Sequence, residues 1–193
     1  MYRTRSHWVP ALLVAITAAL SAACAGEAPA GVDRAERADR VALAASDADR
    51  APELGACGKL QAPAGMELAY HVYAKGVQIY RWNGSAWGFV EPSAQLFADA
   101  GYQGLVGTHY RGPKWESVAG DTVSAAVLDR CDVPGTIQWL LLEAYADVRP
   151  GVFQNVKRIQ RLATTGGTAP TANGSFVGEL REAPYTAEYF FYR

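Results

Sequence analysis

From residue 67 onward, apolar and polar positions alternate with a period of two. In "ELAYHVYAK" (67–75), Leu68, Tyr70 and Val72 share one face, while Ala69, His71 and Tyr73 share the other. This spacing predicts a strand with one face toward a core. "GVQIYRWNGSAWGFV" (76–90) gives the strongest local signal. Asn83-Gly84 between β-forming residues predicts a two-residue type I′ hairpin turn, which sets Tyr80 opposite Trp87 and Gln78 opposite Phe89.

The alternation breaks at "PSAQLFADAG" (92–101), where Ser93 can cap and Gly101 can end one or two helical turns. Further strands are predicted over Leu105–Tyr110, Lys114–Val118 and Thr122–Arg130, with Val123, Ala125 and Val127 on one face. "TIQWLLLEAYADV" (136–148) suits a buried strand or a helix; Pro134-Gly135 and the β-rich neighbours favour the strand. Another strand centres on Val156–Leu162. In the last, "PYTAEYFFY" (184–192), Tyr185, Ala187, Tyr189 and Phe191 share a face. About eight or nine short strands, no βαβ spacing and at most one or two short helices predict an all-β fold, an antiparallel sandwich or small barrel.

The first 56 residues have a different character. Arg3 and Arg5 precede an apolar run, Val9–Leu20, and then the small residues "SAACAG". This is the layout of an export signal over residues 1–23, too short for a permanent membrane span. "LSAAC" resembles a bacterial lipobox, although Ser21 stands where an aliphatic residue is usual. Lipidation at Cys24 is therefore expected, which would anchor the protein to a membrane. Residues 24–56 are rich in Ala, Asp and Arg, and residues 26–55 lack aromatics, so the segment reads as a flexible tether. Residues 57–193 form one domain of ordinary size.

The whole chain carries a net charge of −1, and losing residues 1–23 removes Arg3 and Arg5 and no acid, giving −3. No basic patch dominates, so nucleic acid is not an expected partner. After Cys24 two cysteines remain, Cys57 and Cys131. In an exported chain such a pair is expected to form a disulfide.

Five separated blocks, "AYHVYAKGVQIYRWNGSAW", "LFADAGYQGLVGTHYRGPKWES", "IQWLLLEA", "GVFQNVKRIQRLATTGGTAP" and "PYTAEYFFYR", resemble the DUF3455 family. "RLATTGG" departs from that family's usual block, as does the Lys in "HYRGPKWES". The resemblance implies an exported β-rich domain and brings no established activity with it.

Motifs of catalysis are sparse: HExxH, CxxC, GxSxG, a P-loop and GxGxxG after a strand are all absent. No cofactor is expected. Gly112-Pro113 predicts a turn between His109 and Glu116, which could set an imidazole beside a carboxylate for acid–base chemistry. His71 could join His109 at a metal. Tyr80, Trp82, Trp87, Tyr110 and Trp115, with Gln78 nearby, form the candidate ligand-binding set, since rings with polar neighbours stack on sugars. The function expected is a binding or structural and interaction module at the cell envelope, for a glycan or another envelope component. The alternative is a hydrolytic or metal-dependent enzyme using His109 and Glu116.

Overall fold

The computed structural model describes residues 52–146 and 150–193. The predicted export signal, the lipidation site Cys24 and most of the predicted tether lie outside the described residues. Eight strands run in order: β1 (Leu68–Trp82), β2 (Trp87–Phe97), β3 (Leu105–Tyr110), β4 (Lys114–Ser117), β5 (Thr122–Cys131), β6 (Trp139–Ala146), β7 (Arg158–Gly166) and β8 (Leu180–Tyr192). Each pairs antiparallel with the next, and β8 returns to β1, so the sheet closes as a barrel rather than splitting into a sandwich. Closure leaves no sheet edge unpaired.

Tight coiling needs small residues at the inward positions where strands approach. A Cβ on Gly76 would meet the Ser93 carbonyl oxygen at 2.1 Å, and one on Gly107 would meet that of Glu116 at 2.3 Å. Both glycines are the bends that let a short sheet close.

One half of the interior is filled. Val72, Leu96, Val123 and Phe191 pack there, with Trp115 and Tyr189 at the boundary between the halves, each almost fully buried. Burying a side chain of this kind contributes roughly 1.5–3 kcal/mol. The β6–β7 connection delivers Phe153 into this half, where its ring meets Phe191 at 5.0 Å and Tyr70 at 6.1 Å. Asp121 holds the connection in place by accepting from the Phe153 amide (3.0 Å) and from the Ser117 hydroxyl. Burial, with the Asp121 charge beside it, pushes the Tyr70 phenol up to about 12.

A second layer covers the outside of β6–β8. Leu54 and the 3-10 helix Gly55–Leu60 lay Cys57 and Leu60 against Leu141, Leu162, Phe190 and Tyr192. Buried Gln160 joins the layers, donating to the Leu60 carbonyl (2.6 Å) and accepting from the Tyr192 hydroxyl (2.6 Å). Cys57 and Cys131 are disulfide-bonded, which staples this layer to the end of β5.

Two expectations are corrected. Residues 92–97 continue β2 and form no helix; Ala94 and Leu96 point inward while Ser93 and Gln95 are exposed. Pro92 sits beside a bulge, as strand prolines tend to. The Asn83 turn is also wider than two residues. Trp82 pairs with Trp87, Tyr80 with Phe89, and the Asn83 side chain accepts from the Ser85 and Ala86 amides. That Asx interaction makes a four-residue turn and shifts the register.

Candidate functional site

The other half of the barrel holds a cavity of about 760 Å³ that opens at one end. Four connections surround this mouth: 83–86, 111–113, 132–138 and 167–179. Phe89, Val127, Ile137, Leu140 and Leu142 supply much of its apolar wall. Phe89 and Val127 are exposed at the rim. The 132–138 connection is tied to the end of β7, and the start of the 167–179 connection to β1. Thr136 donates to the Gly166 carbonyl (3.1 Å), Thr164 to that of Ile137 (2.7 Å), and Tyr80 to that of Gly167 (2.7 Å). Eight strands enclose enough room either for packed side chains or for one small ligand. This barrel does the first at one end and has space for the second at the other.

Polar groups meet deep in the cavity. Arg161 pairs in register with Leu140 on β6 and Tyr189 on β8, so its side chain shares their inward face. Its Nε and Nη2 donate to the Gln138 carbonyl at 3.1 and 2.7 Å. His109 stacks on Trp115 (4.4 Å between rings) and meets Tyr189 edge-on at 5.1 Å. Its Nδ1–H donates to the Lys114 carbonyl at 2.9 Å. Burial, assisted by the Arg161 charge and opposed by the Lys114 hydrogen bond, pushes the His109 imidazole down to about 3. His109 is thus neutral at physiological pH. Burial raises the Tyr185 and Tyr189 phenols, so both keep their protons. Gln78 Nε2, Trp115 Nε1 and the Tyr185 and Tyr189 hydroxyls are buried and make no hydrogen bond of normal geometry, the two phenols lying beside each other with Gln78 next to Tyr185 and Arg161 next to Tyr189. Such groups are rare in packed interiors, because each costs about 1–3 kcal/mol.

A family model described as "Protein of unknown function (DUF3455)" matches residues 63–193. The chain belongs to the DUF3455 family. No curated protein and no solved structure matches it significantly.

In this DUF3455 domain the candidate residues separate. Gln78, Tyr80 and Trp115 line the cavity. Trp82 and Trp87 do not; they pack at 5.4 Å from each other, and the Trp87 indole donates to the Ala172 carbonyl (2.8 Å), holding the β7–β8 connection. Tyr110 is also outside the cavity, donating to Glu116 at 2.6 Å. The expected pairing of His109 with Glu116 does not form. In the β3–β4 hairpin His109 lies opposite Trp115 and Thr108 opposite Glu116. Alternation therefore turns His109 into the barrel and Glu116 out of it. His71 and His109 do not meet either. His71 is on the outer face, stacked on Phe190 (4.0 Å) and bonded to Glu188 (2.9 Å). Among the described residues no three His, Cys, Asp or Glu side chains converge as metal ligands. Among them, too, no helix is long and apolar enough to cross a membrane.

Sequence reasoning missed Arg161 as a site residue and assigned Tyr185 and Tyr189 only to a face. A charged residue two positions from Ile159, at inward parity, was the available signal. It was masked because Ile159 and Leu162 are both buried, on opposite faces of β7.

Proposed function

We propose that this DUF3455 protein is an exported binding module that takes a small, largely apolar molecule into the open end of its barrel. One observation carries the reading: an apolar cavity of about 760 Å³ whose depth holds buried polar atoms that make no hydrogen bond of normal geometry. Ligand sites have this size and this combination of apolar wall and few polar groups. The walls favour hydrocarbon or aromatic bodies over a glycan, since the tryptophans that would stack sugars are the packed Trp82 and Trp87. A disulfide of the kind that oxidising compartments sustain, together with the leader sequence, supports placement at the cell envelope through a lipid on Cys24. Cys24→Ser should move the protein from the membrane to the soluble fraction; unchanged fractionation would remove the anchor from the proposal.

The binding test uses the neutral fluorophore N-phenyl-1-naphthylamine. Saturable one-to-one binding is expected, and Leu140→Trp, which narrows the cavity, should weaken it by about tenfold or more. Absence of saturable binding, or affinity unchanged in a folded Leu140→Trp variant, would overturn the reading.

A further inference from the structure

The cavity is donor-rich and its charge is one-sided. Three arginines reach its wall: Arg111, Arg130 and Arg161. Glu91 is the carboxylate there, and it is bonded to Arg111 at 2.9 Å. Among the described residues no carboxylate bridges Arg161. A guanidinium has five N–H donors, and the Gln138 carbonyl uses two of those on Arg161. A cation next to hydrocarbon, with hydrogen-bonding capacity left over, is costly until an acceptor meets it. His109 supplies no compensating charge. The neighbouring buried polar atoms that make no hydrogen bond of normal geometry are the indole N–H of Trp115, the Nε2 of Gln78 and the hydroxyl of Tyr189, which lies beside Arg161.

Resting on the binding reading above, we infer that the ligand is an amphiphilic monoanion: an apolar alkyl or aryl body with one carboxylate-like group received by Arg161. The body takes the place of solvent against Phe89, Val127, Ile137, Leu140 and Leu142. The anion accepts from the N–H groups of Arg161 that the Gln138 carbonyl does not engage, in the fork geometry that guanidinium groups offer to oxyanions. A neutral apolar molecule fills the same space and leaves the guanidinium unmatched. A multiply charged or sugar-like molecule would bring polar groups against walls that cannot bond them.

The test uses two fluorophores with the same anilinonaphthalene body. N-Phenyl-1-naphthylamine is neutral, and 8-anilinonaphthalene-1-sulfonate adds one anionic group. At physiological ionic strength the sulfonate should bind the folded protein about tenfold or more tightly, the scale of a charge-assisted hydrogen bond. Arg161→Met should abolish that preference, bringing the ratio of the two affinities to about one whatever its effect on either alone. Arg161→Lys, which keeps the charge and loses the fork, should retain part of it and serves if the Met variant does not fold. Arg193→Gln, a charge change at the far end, should leave the preference intact. Equal affinities in the wild type, or a preference that survives Arg161→Met, would overturn the inference and leave the binding module standing. Failure of both probes would overturn the binding module as well.

Discussion

At one end of the barrel Asp121 accepts from the Ser117 hydroxyl and the Phe153 amide, and the Phe153 ring plugs the interior against Tyr70 and Phe191. At the other end Gln78, Trp115 and Tyr189 border open space with polar atoms that make no hydrogen bond of normal geometry. The same eight strands build both. The filled end follows the rule that buried polar groups are paired and apolar volume is packed. The open end breaks that rule at several atoms around one cavity, whereas elsewhere among the described residues the His71 Nδ1 and the Trp139 indole N–H stand singly; clustered breaks concentrate where a fold meets a ligand. The contrast separates stability from binding along one axis, and substitutions at the two ends should have opposite consequences.

The largest effect should come from the filled end. Phe153→Ala leaves a void among Tyr70, Phe191 and Trp115 and should cost about 3–5 kcal/mol in chemical denaturation. It should leave the sulfonate probe's affinity unchanged in the folded protein. Removing the staple with Cys57→Ala and Cys131→Ala should cost about 4 kcal/mol for so long a loop. Here too probe binding should persist, because the disulfide fixes the outer layer and neither cysteine lines the cavity. An affinity that fell in step with stability in either variant would show that the ends are not separable.

A smaller effect concerns His109. Its folded pKa lies below its unfolded value, so the unfolded chain binds the extra proton first. Above pH about 6.5 it is neutral in both states and neither adds nor removes stability. Below that pH stability should fall by up to roughly 1.4 kcal/mol per pH unit, about 2 kcal/mol by pH 5. His109→Gln should flatten this slope between pH 6.5 and 5, before most carboxylates titrate. An unchanged slope would mean that the imidazole is not held neutral inside the barrel.

The smallest effect has the opposite sign. Tyr185→Phe and Tyr189→Phe each remove a buried hydroxyl that makes no hydrogen bond of normal geometry, so each should be neutral or stabilising by up to about 1 kcal/mol. A clear loss of stability in either variant would mean that those atoms are bonded in the empty protein and that the two ends follow the same rule.

Much of the frame was legible in the sequence, and the reasons are local. Strand β8 has a clean alternation, and Tyr185, Ala187, Tyr189 and Phe191 do face the interior. The bounds of β3 and the pairing of Cys57 with Cys131 also follow from residue pattern and cysteine count. "WLLL" was ambiguous because the N-terminal layer buries the outer face of β6 as well, which erases the period of two. "PSAQLF" hid its alternation behind small and proline inward residues. The site was less legible than the frame. His109 and Glu116 differ in parity, so a hairpin must separate them; proximity along the chain suggested a pair that alternation forbids. The aromatic set divided because Trp82 and Trp87 flank a turn and pack under the β7–β8 connection, whereas Trp115 lies mid-barrel. Arg161 escaped because only the return of β8 to β1 closes the barrel and gives its side chain an interior.

The most direct test is an NMR titration of uniformly 15N-labelled protein with 8-anilinonaphthalene-1-sulfonate. The Trp115 indole N–H and the Gln78 side-chain amide should shift together and saturate at one equivalent, while the amides around Asp121 and Phe153 stay in place. If the Trp115 and Gln78 signals do not move, or if the shifts map to the outer wall around His71 and Phe190, the open end of the barrel is not a ligand site.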